Sequence, residues 1–281
     1  MSYKDLLVVL DSSAASRGRI DLAAVLAERC AAHLVGLYPL PVPEMPRHFG
    51  YFDPAMLDPF FQDLRQQAQA ASDREREAFE HAASLRGLSA EWRVVAEGPE
   101  SDPALHARYV DLTILGQLDP DRGDVELIRP RPEQVTLASG RPILVIPYAG
   151  QFETVGRRVL IGWNASREAT RAVNDAMPLL MAADIVTVLT IDAREGADAH
   201  GELPGADISL HLARHGVKAE IERTVSAGIP AGEVLLSRAA DLGADLLVIG
   251  AYGHSRVRKL FLGGATRSIL QSMTLPVLMS H

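Results

Sequence analysis

Short apolar runs rich in valine, isoleucine and leucine recur along the chain at Leu6–Leu10, Leu34–Tyr38, Leu112–Leu115 and Ile143–Ile146, and again at Val159–Ile161, Ile185–Ile191, Leu246–Ile249 and Val277–Met279. Their apolarity is continuous instead of alternating, which predicts strands covered on both faces, as in a parallel sheet. Segments with helical spacing separate most of them, so the pattern is βαβ, written twice.

The two halves align on each other. KDLLVVLDSSAASRGRIDLA and RRVLIGWNASREATRAVNDA superpose Asp11 on Asn164 and Ser13 on Ser166. Further on, DLTILGQ from Asp111 matches DLLVIGA from Asp245, and each copy closes with a proline and a last strand, PILVIP and PVLMSH. A duplicated domain explains this most simply, with copies at residues 1–148 and 157–281 and a linker over Tyr148–Gly156. The stretch from Gly98 to Gly116 is four residues shorter than that from Gly228 to Gly250, about one helical turn, so the helix before the fourth strand should be shorter in the first copy. The first copy also carries an insertion over 39–63, rich in proline and phenylalanine. It reads as a loop packed down by aromatics, serving as a lid, an interface or plain surface, ahead of a long polar helix from Asp63.

Composition narrows the classes of function. The 281 residues, 47% hydrophobic and 23% charged, suffice for a large core without disulfide or metal staples. A net charge of −8 argues against nucleic acid as a partner. Cys30 is the single cysteine and reads as a helix packing residue. No run approaches a membrane span and the first residues lack a signal-peptide core, so the expectation is a cytoplasmic protein without a membrane partner.

Candidate chemistry concentrates after the fourth strand of the second copy. There Gly250, two residues, Gly253, nine residues, Gly263, Gly264, Ala265 and Thr266 precede an apolar helical segment. Glycines let backbone approach phosphate closely, and free N–H groups at a helix start bind anions. The lysine-containing P-loop and the GxGxxG fingerprint do not occur. The Gly-x2-Gly-x9-Gly pattern, with the strand before it, resembles the universal stress protein family in its tandem two-domain form, and the resemblance runs through both copies.

The resemblance implies flavodoxin-like or Rossmann-like α/β domains, each a five-stranded, mainly parallel sheet ordered 3-2-1-4-5, with the fifth strands meeting as an intrachain pseudo-dimer. A homodimer of the whole chain is a further expectation. It also implies ATP or another adenine nucleotide, with or without Mg²⁺, in the C-terminal copy only. Adenosine would be held by Gly162, Asn164, Ile191 and Ile249, and phosphates by Gly250, Gly253, Gly263, Gly264, Ala265 and Thr266. Two departures stand out: Asn164 occupies a position where nucleotide binders carry aspartate, and Gly264 one where the pattern has serine or threonine. In the first copy Asp119, Arg129 and Pro130 replace the second and third motif glycines and Gly264. Acidic residues and a proline without an N–H make a poor phosphate cradle.

Other constellations are weaker. His211 and His215 share one helical face near His200 and Asp207, a pattern open to a metal pair but more common in plain surface or core positions. Arg256, Arg258 and Lys259 could neutralise a triphosphate or be solvated. Ser12, Ser13, Ser16 and Ser166 begin helices and read as caps. No GxSxG elbow, HExxH or acid pair is present, so no catalytic or metal site is expected. The leading expectation is a nucleotide-responsive regulatory or stress-resistance protein. The alternatives are a nucleotide-independent interaction protein and a slow ATPase.

Overall fold

Eight of the strands form where the apolar runs fall, and two more complete the sheet at its margins. In this computed structural model, residues 2–40, 54–96, 102–119, 131–192, 205–252 and 264–281 are described, the side chains of 54–61 excepted. The strands are β1 (Asp5–Val9), β2 (His33–Pro39), β3 (Ala90–Val95), β4 (Leu112–Gly116) and β5 (Ile143–Ile146), then β6 (Arg158–Gly162), β7 (Ile185–Ile191), β8 (Ala219–Thr224), β9 (Leu246–Gly250) and β10 (Val277–Ser280). The helices are α1 (Ser16–Cys30), α2 (Pro54–Leu85), α3 (Pro103–Ala107), α4 (Pro132–Ser139), α5 (Arg167–Asp175), α6 (Met177–Leu180), α7 (Ala206–Arg214), α8 (Ala231–Asp241) and α9 (Gly264–Ser272).

The strands make one mixed sheet of ten, ordered β3-β2-β1-β4-β5-β10-β9-β6-β7-β8. Each half keeps the order 3-2-1-4-5, but the expected pair of sheets is one continuous sheet. The cause is the β5–β10 pairing, which is antiparallel, with Val277 opposite Val145, Leu278 opposite Leu144 and Met279 opposite Ile143. Successive side chains on a strand point to opposite faces. Leu6, Val8, Leu144 and Leu278 therefore enter the core layer under α1, α2, α5, α6 and α7, while Leu7, Val9, Val145 and Met279 enter the layer under α3, α4, α8 and α9. Both layers run through the junction. Polar ties reinforce it: the Tyr3 hydroxyl donates to the Asp175 carbonyl (2.7 Å), Arg29 to the Val155 carbonyl (2.9 Å) and Arg171 to the Gly140 carbonyl (2.6 Å). Tyr148–Gly156 has no regular secondary structure.

Three expectations are corrected or refined. The long helix starts at Pro54, not at Asp63, so the end of the insertion is helical; residues 41–53 lie outside the described residues. Of the four serines read as caps, only Ser166 caps, its hydroxyl accepting from the Ala169 N–H (3.1 Å). Ser16 donates to Glu75 (2.6 Å), Ser13 accepts from Arg19 (3.3 Å) and Ser12 meets the Tyr38 hydroxyl (2.8 Å). The helix before the fourth strand is shorter in the first half as expected, 5 residues in α3 against 11 in α8.

The first half differs from the second beneath its first helix. Arg19, 2% exposed, pairs with Asp11 at 2.6 Å and its guanidinium fills the space beside Gly116. Burial alone would raise the Asp11 carboxyl, but Arg19 and the Ser13 hydrogen bonds outweigh it and hold it below the ordinary carboxylate range. A depressed folded value gives stability that is complete above the unfolded value of about 4 and is lost as pH falls through the folded one. Arg19→Met should cost about 2 kcal/mol at neutral pH by stranding the carboxylate. The gap to wild type should narrow below about pH 4 as Asp11 is protonated, which urea melts across pH would measure.

A crevice at the switch point of the second half

In a doubly wound sheet the connections leave in opposite directions from the two strands at the order reversal, opening a crevice at their carboxyl ends. In the second half that point lies between β6 and β9. A cavity of about 200 Å³ sits there, lined by Gly162, Trp163, Asn164, Leu189, Ile191, Asp192, Ala231, Leu235, Ile249, Gly250, Ala265, Thr266 and Ile269. Seven of the ten residues expected from the sequence thus share one cavity. Gly264, expected with them, is the exposed first residue of α9. Gly253 and Gly263 lie outside the described residues, as do Arg256, Arg258 and Lys259.

Each wall has a local cause. Gly162 ends β6 opposite Leu189, and its missing side chain leaves the space that a Cβ would contest with Leu235 (3.1 Å) and Ile249 (3.2 Å). Gly250 ends β9 with no room for a side chain, because the backbone of Glu168 and Ala169 at the start of α5 lies against it. The Asn164 Oδ1 accepts from the Ser166 N–H (3.1 Å), an Asx turn that leads through Ala165, at φ +55, into the Ser166 cap. That acceptor role fixes the side chain's orientation and leaves its amide N–H₂ without a partner among the described residues. In the first half the matching Asp11 serves Arg19. The matching residue in the second half is Ala172, so a charge at position 164 would have no such counter-ion.

The other walls come from β7, α8 and α9. The Asp192 N–H donates to the Thr224 carbonyl (3.0 Å) and its carboxylate accepts from the Ser226 N–H (2.9 Å); the Ser226 side chain, and then this backbone bond, hold the Asp192 carboxyl below its ordinary range. Gly232 allows α8 to reach α9: a Cβ there would lie 2.7 Å from the Ala265 carbonyl. The floor of Leu189, Ile191, Leu235, Ile249 and Ile269 is apolar, and the rim of Asn164, Asp192 and Thr266 is polar. Such a pocket accepts a flat apolar ring with polar edges.

Trp163, Leu189, Asp192, Ala231, Leu235 and Ile269 were not anticipated. Asp192 was the most accessible of them, standing directly after the second strand of its copy, where the crevice must open. At the register position of Gly162 the first half carries Val9, opposite Leu37 and 3% exposed, so the space that Gly162 leaves open is filled there. The rings of His211 and His215 lie tilted at 58° with centroids 4.8 Å apart. Among the described residues no group of three or more His, Cys, Asp or Glu could hold a metal ion, and no helix is long and apolar enough to cross a membrane.

Fold and crevice define a duplicated, doubly wound α/β protein with a cavity at the switch point of its second copy. The family model described as "Universal stress protein family" matches residues 156–281, and universal stress protein Slr1230 of Synechocystis sp. is 27% identical over 146 residues, 52% of this chain and 49% of the relative. Residues 156–281 therefore carry a universal stress protein domain, and the first half repeats its strand order. The chain spans about half the length of that curated relative. The crystal structure of a universal stress protein from Archaeoglobus fulgidus DSM 4304 is similar at 14% identity, with a TM-score of 0.69 over 98% of this chain and 97% of that one. The functionally unknown protein PA1789 from Pseudomonas aeruginosa PAO1 is similar at 16% identity, with a TM-score of 0.54 over 99% and 92%. At these identities both speak for the fold alone.

Proposed function

We propose that the protein binds an adenine nucleotide in the crevice of residues 157–281 and acts as a nucleotide-responsive regulatory protein of the cytoplasm, with residues 1–148 as a non-binding partner domain. The observation that carries this reading is the convergence of Gly162, Asn164, Ile191, Ile249, Gly250, Ala265 and Thr266 on one cavity. The apolar floor suits the base, Asn164 and Asp192 suit base or ribose edges, and the start of α9 suits phosphate, with or without Mg²⁺. Regulation follows if the bound and free states differ in their affinity for a partner, for the ligand then shifts the population between them.

Calorimetric titration of ATP and AMP, with and without Mg²⁺, tests the reading, alongside mass spectrometry of any ligand released from the purified protein. One site of micromolar affinity, or co-purified adenine nucleotide, is expected. No heat at millimolar nucleotide would overturn it. A second reading, a nucleotide-independent interaction protein, is favoured by two observations: Gly264 offers no hydroxyl, and about 200 Å³ is below the range of about 300–1,000 Å³ usual for ligand pockets. Slow ATP hydrolysis is the third reading.

A further inference from the structure

A second and larger cavity, of about 530 Å³, lies between the halves, walled by α4 on one side and α9 on the other. It does not depend on the nucleotide reading. α9 turns Ala265, Thr266 and Ile269 to the crevice and Arg267, Leu270 and Gln271 to this cleft. At 100° per residue these sets occupy opposite sides of the helix, so the two cavities are separate.

The cleft has a fixed base and a charge imbalance. At its base Gln117 is 7% exposed; it donates through Nε2 to the Leu270 carbonyl (2.8 Å) and accepts at Oε1 from the Tyr148 N–H (3.3 Å), tying the halves together. Leu118, Pro132 and Leu270 supply apolar wall. Of the charged lining residues, Arg131 lies 3.8 Å from Glu133, whereas Arg267 has no hydrogen-bond or ion-pair partner among the described residues. Among the described residues the lining carries one more positive than negative charge, in a chain whose net charge is −8. A guanidinium left over beside apolar wall in a concave site calls for an anionic group on an apolar body. From this we infer that the inter-lobe cleft is a binding site for a small organic anion, with Arg267 and Arg131 holding the anionic group and Leu118, Pro132 and Leu270 the apolar part.

The probe is 8-anilinonaphthalene-1-sulfonate, an aromatic sulfonate whose fluorescence rises on transfer to an apolar site. Titrated into the full chain, it is expected to saturate at one site. The double variant Arg131→Gln with Arg267→Gln keeps its fold, since neither side chain is buried, and should bind the probe about tenfold or more weakly through loss of the charge-assisted bonds. Gly162→Val, on the floor of the crevice and away from α9, should bind it unchanged even if it also loses ATP. The inference is overturned if binding does not saturate by millimolar probe, or if the double variant binds within about twofold of wild type. Loss of binding in Gly162→Val with retention in the double variant would equally overturn it, by placing the probe in the crevice. Failure of ATP to bind in the calorimeter leaves this test intact.

Discussion

Gly162→Val is expected to weaken ATP binding by about a hundredfold while the protein remains folded. The substitution gives the second half the residue that already fills the first half's floor at Val9. The nearest atoms to a Cβ at Gly162 are methyl groups of Leu235 and Ile249, side chains that can give where backbone could not, so the fold is expected to survive. The space taken is the space the base would occupy. Overpacking a fitted site costs about 1–3 kcal/mol, and the upper end converts to about a hundredfold in affinity. Gly264→Ser should act in the opposite direction. With nothing within 4 Å of a Cβ there, serine enters freely and supplies a hydroxyl to phosphate, worth about 1.5 kcal/mol or about tenfold. Calorimetry on both variants, with melting curves as the fold control, checks the pair. Equal affinities in wild type and both variants would reject the crevice as the nucleotide site.

Gly250→Ala is expected to destabilise the fold by about 3 kcal/mol, the upper part of the range for overpacking. Its obstacle is backbone: the methyl would run into Glu168 and Ala169, held by the Ser166 cap, and α5 would have to lift from β9 and β10. Gly116→Ala in the first half is the informative comparison. Its methyl would meet the end of Arg19, a side chain that can move at the expense of its contact with Asp11, so a smaller loss is expected. Urea denaturation of the two variants gives the ordering, and an equal or reversed ordering would refute the argument.

How far the sequence discloses this molecule depends on burial. The eight inner strands are continuous apolar runs because helices cover both faces, and each was legible. β3 and β8 were not. They are marginal strands that carry Glu91, Arg93, Glu220, Glu222 and Arg223 on partly exposed backbone, so their pattern does not rise above that of a polar loop, and only the resemblance implied a fifth strand in each copy. The motif stretch contributed Gly250, Ala265 and Thr266 to the cavity, and the resemblance Gly162, Asn164, Ile191 and Ile249, whereas Leu235 and Ile269 belong to ordinary helical periodicity and look like any core residue. The merging of the sheets was readable as two apolar last strands in need of a partner. The role of Arg19 was not, because the sequence separates it from Gly116 by almost a hundred residues.

The β5–β10 pairing also fixes a ratio. A two-subunit assembly made from separate chains obeys mass action, parting on dilution and open to exchange with other subunits. Here the tether makes that encounter intramolecular, and the apolar strands that would recruit a stranger are already used. One half with Gly162 and one with Val9 in its place are therefore delivered together by every ribosome that finishes the chain, at a stoichiometry that expression level cannot alter.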